Sequence, residues 1–301
     1  MSPLEFASGL AVRFLDGKRI DALRDRYFAL RGRMAPLLRA VHGSFDAAGL
    51  RAHLEERIPP DFEILMVHSS VNHMKPMYTG TPLELVQMLL AFVGPQRTLA
   101  MPAFYFGDPV AGTNVVETFK RNPRFDLRRT PSQMGLATEL FRRTPGVLQS
   151  RHPVYRIAAR GPLAAELLAG HEHSDHPSGR GTPFEYMANH RTRIIGIGKP
   201  IQVVTQAHHV EGLMGDAFPV PSTRAEPIPM TLVDRDAEIP FLLPRRNVQG
   251  RFDIWRLRGI MDRATLAEWN FHHVPMFSTT AKDVTDRLVA AARRGVTLYV
   301  R

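Results

Sequence analysis

The chain of 301 residues has no cysteine. That excludes disulfides, thiolate metal sites and any mechanism built on a cysteine nucleophile. Lysine is scarce: Lys18, Lys75, Lys120, Lys199 and Lys282 are the only ones among 39 basic residues, which leaves 34 arginines. No apolar run approaches the roughly 18 residues that a membrane-spanning helix needs, so no membrane partner is expected. The stretch from Met1 to Leu15 carries Glu5 and Arg13 and no continuous apolar core. A secretory signal is therefore not expected, and the cytoplasm is the expected location.

What remains is ordinary for a globular chain. A hydrophobic share of 44% and a charged share of 23% exclude general disorder. The length sits near the limit of a single hydrophobic core. Basic residues exceed acidic ones by ten (39 against 29). Guanidinium groups bind phosphate and carboxylate in a two-pronged fashion, which favours anionic ligands over polycations. A solvated arginine-rich surface explains the same composition equally well.

Residues 1–60 read as a helical N-terminal extension, with Leu23, Tyr27, Leu30 and Met34 at helical spacing and a second stretch from Ala47 to Arg57. Pro59-Pro60 ends it. Residues 61–301 read as an α/β domain. Apolar runs at Glu63 to Val67, Arg97 to Met101 and Arg193 to Ile197 predict buried strands. Three Thr-Pro-x-Glu/Gln segments, beginning at Thr81, Thr130 and Thr182, predict capped helix starts, and Gly94 predicts a left-handed helix end. Met230 to Val233 and Ile239 to Leu243 predict a hairpin, and the prolines from Pro219 to Pro229 predict a long irregular connection. A last helix from Ala281 to Arg294 leads to a terminal strand from Val296 to Val300. Together these predict a three-layer α/β/α sandwich around a mixed central sheet.

Several polar clusters follow these elements. His68-Ser69-Ser70 comes directly after a strand, where open α/β sheets bind ligands, although the tripeptide also reads as a strand-ending turn. Thr130 to Gly135 offers backbone N–H groups and the hydroxyl of Ser132, with Arg142 one helix length on; an ordinary capped helix reads the same way. His152 precedes a proline that holds the chain extended, as a structural loop histidine would too. His208 and Glu211 lie three apart, so on a helix they share a face as a general base and its carboxylate require, or as a surface ion pair would. His171, His173 and His176 match no familiar zinc spacing, so no metal is expected. Walker, His-Glu-x-x-His and Gly-x-Ser-x-Gly motifs are absent from the sequence.

Taken in order, these segments resemble the aminoglycoside 3-N-acetyltransferase family from about Ile64 to Gly215. The resemblance rests on His68-Ser69-Ser70, the passage from Val93 to Pro102, Phe125-Asp126, Thr130 to Gly135 and Phe141-Arg142. It continues through Ser150 to Pro153, Gly181 to Phe184, Ile194 to Gly198 and Thr205-x-x-His208-x-x-Glu211. It implies transfer of an acetyl group from acetyl-CoA, the co-substrate, to a small-molecule amine. It also implies His208 as general base, Glu211 as its orienting carboxylate, and His68, Ser69 and Ser70 against the thioester. Thr130, Ser132, Met134 and Gly135 would hold the acyl end of the donor, with Met101, Arg142 and His152 nearby.

Three departures bear on the substrate. The stretch from Asn72 to Tyr78 replaces a glycine-containing one, the N-terminal helices are extra, and a net charge of +10 disfavours a polycationic acceptor. An amino sugar or similar biosynthetic amine is the expected acceptor. An acyl carrier protein, generally acidic, is the alternative donor, and a homodimer is an open alternative for the assembly. Nucleic-acid binding has only the charge in its favour, since the arginines are dispersed and no stacking platform is visible; no nucleic-acid partner is expected.

Overall fold

In the computed structural model, which describes residues 17–300, the segment Ile64–Ser69 forms strand β1 with all six residues buried. Its side chains alternate between faces. Ile64 and Met66 join one apolar cluster, and Leu65 and Val67 join another on the opposite side. The further strands are β2 (Thr98–Pro102), β3 (Arg124–Asp126), β4 (Leu148–Gln149), β5 (Ile157–Arg160), β6 (Thr192–Ile197), β7 (Ser222–Asp234), β8 (Ala237–Val248), β9 (Leu266–Phe271) and β10 (Val274–Thr280). Seven of them build one sheet in the order β9-β10-β6-β1-β2-β5-β4. At its centre β1 runs parallel to β2 and β6, while the outer pairings are antiparallel.

Helices cover both faces. The N-terminal ones are α1 (Gly17–Arg33), α2 (Ala35–His42) and α3 (Ala47–Arg57); then come α4 (Pro82–Val93), α5 (Leu136–Arg143), α6 (Pro183–Asn189), α7 (His209–Met214) and α8 (Ala281–Arg293). Leu50 and Leu54 of α3, Leu85 and Leu89 of α4 and Phe141 of α5 pack on the Leu65 face. Phe184 of α6, Val210 of α7 and Leu288 of α8 pack on the Ile64 face. The expected α/β/α sandwich with a mixed sheet is the observed one.

Local chemistry explains most boundaries. Thr81 and Glu84 form a complete capping box, and Gly94 closes α4 at φ +70° with its N–H bonded to the Leu90 carbonyl. Its ψ of −179° departs from the left-handed cap that the sequence predicts. Thr182 does precede α6, but its hydroxyl donates to the Gly179 carbonyl instead of capping. The third expectation needs correction: no helix begins at Thr130. The chain makes an irregular turn there, and α5 begins at Leu136 after Gly135 at φ +98°. The cause is Arg156, fully buried, whose guanidinium donates to the carbonyls of Ala103, Leu127 and Thr130. It draws those carbonyls away from helical pairing.

Two further expectations change. The hairpin is much longer than predicted, since Pro227 and Pro229 lie within β7 rather than in an irregular connection. It pairs with β3 in a separate three-stranded sheet. The C-terminal strand shrinks to Tyr299–Val300, paired with Arg251–Phe252. The N-terminal helices also divide in two. From Phe45 onward the segment shares the main core, whereas Leu30 of α1 and Leu37 of α2 stay exposed. Met1 to Leu15 lies outside the described residues.

That division sets a stability contrast. Leu54→Ala should lower unfolding free energy by about 2–5 kcal/mol, the cost of a cavity at a fully packed site. Leu30→Ala, 55% exposed, should change it by no more than about 0.5 kcal/mol. Chemical denaturation of the two variants measures the difference.

Candidate functional site

The carboxyl ends of β1 and β6 lie side by side, with His68 opposite Gly196 and Ser69 opposite Ile197. Strand β1 is where neighbours are added on opposite sides, β2 on one and β6 on the other, and such a point opens a crevice beyond the strand ends. Gly198 is required here. It sits at φ +69°, and a Cβ would come within 2.7 Å of the Ser70 carbonyl.

A cavity of about 610 Å³ occupies this crevice. His68, Ser69, Ser70, Met134, Gly135, Lys199, Thr205 and His208 are part of its lining. His68 Nε2, Ser69 Oγ and Thr205 Oγ1 are buried polar atoms with no partner. Such atoms are costly unless something binds them. Burial, followed by the charge of Lys199, pushes the His68 imidazole down to about 3, so the ring is neutral.

His208 ends a 3₁₀ turn, Thr205–His208, and leads directly into α7. Its Nδ1 lies 3.1 Å from Glu211 Oε1. A carboxylate only accepts, so Nδ1 carries the hydrogen and Nε2 is left as the basic nitrogen. The ring stacks on Phe252 at 4.4 Å between centroids. Ser178 Oγ donates to the His208 carbonyl at 2.9 Å, and His209 Nδ1 donates to the Ser178 carbonyl at 2.6 Å. Tyr299 supplies a hydrogen bond to Glu211; burial, then that carboxylate's charge, raises the phenol well above its ordinary range.

A second cavity of about 450 Å³ meets the first at His208, Tyr155 and Phe106. His152, Asp175, His176, Glu211, Arg245, Arg246 and Tyr299 line it. A larger hollow of about 740 Å³ lies beyond Tyr299, with Arg256 as its one charged lining residue. It lacks a base or a nucleophile and offers less chemistry than the other two.

The predicted site residues thus separate. His68, Ser69, Ser70, Met134, Gly135 and His208 line the first cavity, and Glu211 and His152 the second. His152 therefore faces the opposite side of His208 from the His68 cluster. Its Nδ1 accepts from the N–H groups of Val154 and Tyr155, and its buried Nε2 has no partner. Met101, Thr130, Ser132 and Arg142 line neither cavity. Met101 is buried inside β2, and Thr130 accepts from Arg156. Ser132 Oγ accepts from the Met134 N–H, which shapes the turn before α5. Arg142 is locked to Glu139 by two hydrogen bonds of 2.6 and 2.7 Å and donates to the Arg128 carbonyl.

Sequence reasoning missed Tyr155, Lys199, Phe252 and Tyr299. Lys199 follows the end of β6 as Ser70 follows the end of β1, so the strand-end rule that marks the His68-Ser69-Ser70 segment would have found it. The others carry no signal, since pairing across 88 residues between Glu211 and Tyr299 leaves no local pattern. Of the loop histidines, His171 is buried between the Ser150 hydroxyl and the Pro177 carbonyl. Among the described residues no three His, Cys, Asp or Glu side chains form a metal-binding group.

Three comparisons with known proteins bear on this site. Residues 66–290 match the sequence model of the family described as aminoglycoside 3-N-acetyltransferase. Aminoglycoside N(3)-acetyltransferase IX of Micromonospora chalcea is 30% identical over 161 residues, 51% of this chain and 57% of that enzyme. Aminoglycoside N(3)-acetyltransferase III of Serratia marcescens is 28% identical over 184 residues, 59% of this chain and 66% of that one. The matched regions thus span less than two thirds of either relative. Among solved structures, aminoglycoside acetyltransferase AAC-IIIb, in a binary complex with CoASH, superposes with a TM-score of 0.69 at 20% identity. That match covers 85% of this chain and 99% of the other, and it establishes a shared fold.

The buried neutral histidines set an acid limit. Burial first of all lowers His68 to about 3 and His171 to about 4, whereas an unfolded chain takes up the same protons near 6.5. Between those values the unfolded state binds more protons. Stability is therefore present above about pH 6.5 and is lost as pH falls toward 4. Thermal melts at pH 7.5 and 5.5 should show a lower Tm at 5.5; a constant Tm would contradict neutral, buried rings.

Proposed function

The chain belongs to the aminoglycoside 3-N-acetyltransferase family, and on that premise we propose that it transfers an acetyl group directly from acetyl-CoA to the amine of an amino sugar or aminoglycoside-like acceptor, with His208 as general base. The observation that carries this reading is the His208–Glu211 pair at the junction of two cavities. One cavity takes the acyl donor and the other the amine, so the imidazole stands between them.

The residues present fit the donor. His68 Nε2, Ser69 Oγ and Thr205 Oγ1 are buried polar atoms without partners at the first cavity, as hydrogen-bonding groups awaiting a polar acyl end would be. Met134 and Gly135 would flank that end. When bound, acetyl-CoA supplies the activated thioester. The relative AAC-IIIb is known as a complex with CoASH.

The chain's own residues do the rest. Glu211 fixes the imidazole and stabilises the positive charge that it gains. Tyr299 and Phe252 hold the carboxylate and the ring in place. His208 Nε2 removes a proton from the acceptor nitrogen as the N–C bond forms, and the imidazolium returns that proton to the sulfur as the C–S bond breaks, so a thiol leaves and the base is regenerated. Donors at His68 and Ser69 stabilise the negative charge that grows on the acyl oxygen. The step is a direct displacement that needs no enzyme nucleophile.

Thiol release from acetyl-CoA in the presence of amines tests this, and a chain without cysteine gives no background. His208→Ala should lower kcat by about 10²–10⁴, with Tm within a few degrees of the parent. Glu211→Gln should lower kcat by a smaller factor, since the ring keeps a partner but loses its counter-charge. Near-parental kcat in the His208 variant would reject the assigned base.

A further inference from the structure

The second cavity has a charge pattern of its own. Its wall is the end of β8, where the register shifts between Leu243 and Arg245. Such a bulge breaks the strict alternation of side chains along a strand, and the consecutive residues Arg245 and Arg246 both line the cavity. Arg245 donates to the Glu226 carbonyl at 3.3 Å. Arg246, half-buried, makes no hydrogen bond or ion pair with any described residue. A guanidinium drawn part-way out of water without a partner is a site waiting for an anion.

The negative side of the cavity is Asp175 and Glu211. Glu211 is already committed to His208 and Tyr299. Asp175 is exposed and is the one lining carboxylate left without a partner. His176 adds no compensating charge of either sign. Burial pushes it down to about 4, the Arg246 charge opposes its protonation further, and Glu211 acts the other way. His152 Nε2, buried and unpartnered, adds a neutral donor. Two guanidinium groups therefore share the cavity with two carboxylates, and Arg246 and Asp175 are the charges left without a partner among the described residues. A molecule bearing both an amine and an anion would be complementary to such a mixed wall.

We infer that the acceptor is an amine that also carries an anionic group, phosphate or carboxylate, seated on Arg246 with Arg245 beside it. This deepens the acetyl-transfer reading and rests on it. The anion anchors the acceptor against β8 while its amine reaches His208 across the cavity. Arg246 is thus a specificity-determining residue. The guanidinium fork matters as well as the charge, since two parallel hydrogen bonds orient a phosphate or carboxylate as an ammonium group cannot.

The test compares four acceptors: glucosamine 6-phosphate, muramic acid with its carboxylate, unmodified glucosamine, and the polycation gentamicin. The wild-type kcat/KM should favour at least one anionic amine over glucosamine by tenfold or more, and the two anionic arms identify phosphate or carboxylate. Arg246→Ala should cut that preference at least tenfold through the KM of the anionic amine, and Arg246→Lys should restore part of it. Preference for glucosamine or gentamicin overturns the inference and leaves the acetyl-transfer reading standing. So does a loss that appears as a raised KM for acetyl-CoA, because the arginines would then serve the donor. Calorimetric titration with glucosamine 6-phosphate and with muramic acid reads binding without turnover. Binding that depends on Arg246 in a protein that acetylates no amine keeps the anion seat on Arg246 but sinks the transferase reading and with it the acceptor role; failure of both probes to bind overturns the inference.

Discussion

The proposed chemistry depends on one hydrogen bond, from His208 Nδ1 to Glu211 Oε1 at 3.1 Å. A carboxylate can only accept, so this contact decides which ring nitrogen is basic, and the rest of the site has meaning only once that is settled. The spacing of three residues would serve on any helix. Here it straddles the change from a 3₁₀ turn to α7, and the ring needs further restraint. Phe252 stacks against it, Ser178 holds its carbonyl, and Tyr299 holds the carboxylate from the far end of the chain. A base is effective only when its nitrogen lies where the proton will be. The distant C-terminal strand and the loop at Ser178 therefore belong to the same arrangement as His208 and Glu211.

The sheet explains why the device sits where it does. Strand β1 is buried on both faces and its neighbours run parallel, so the polar residues after Val67 emerge at a carboxyl edge walled by protein. Gln133 to Gly135 add to the lining from the end of the irregular turn that begins at Thr130, whose carbonyl is held by Arg156. A buried guanidinium satisfied by three main-chain carbonyls is costly to remove, because those acceptors would lose their donors inside the protein. Arg156 touches neither cavity lining, yet it holds the irregular turn from which Met134 and Gly135 face the donor cavity.

Much of this was legible in the sequence, and the gaps have physical reasons. Buried parallel strands need continuous apolar runs, so β1, β2 and β6 stand out within a residue or two of their ends. The Thr81 box is readable because both partners are local. Thr130-Pro131-Ser132-Gln133 has the same letters, but a distant arginine outweighs local capping. The prolines of β7 suggest a loop because a proline in a central strand would lose a ladder bond; Pro227 and Pro229 are tolerated because β3 pairs only with Thr231 to Val233 and leaves that edge of β7 open at the prolines. His208 and Glu211 are three residues apart and so were readable, whereas Tyr155, Phe252 and Tyr299 reach them only through tertiary packing. Arg142 illustrates the reverse error. A basic residue near a helix that seems to face a ligand satisfies a neighbouring glutamate instead.

The two cavities differ in how they treat charge, and that difference is functional logic rather than decoration. The donor side presents neutral polar atoms, His68, Ser69 and Thr205, which suits a thioester that is itself uncharged at the reacting carbon. Among the described lining residues the charged ones are Asp25 and Lys199, the latter partly buried and with its pKa lowered by that burial. The proposed acceptor side carries two guanidinium groups and two carboxylates, which suits an acceptor that bears an anion beside its amine. In the proposed reaction a base at the boundary reaches the acceptor nitrogen from one cavity and the thioester carbon from the other.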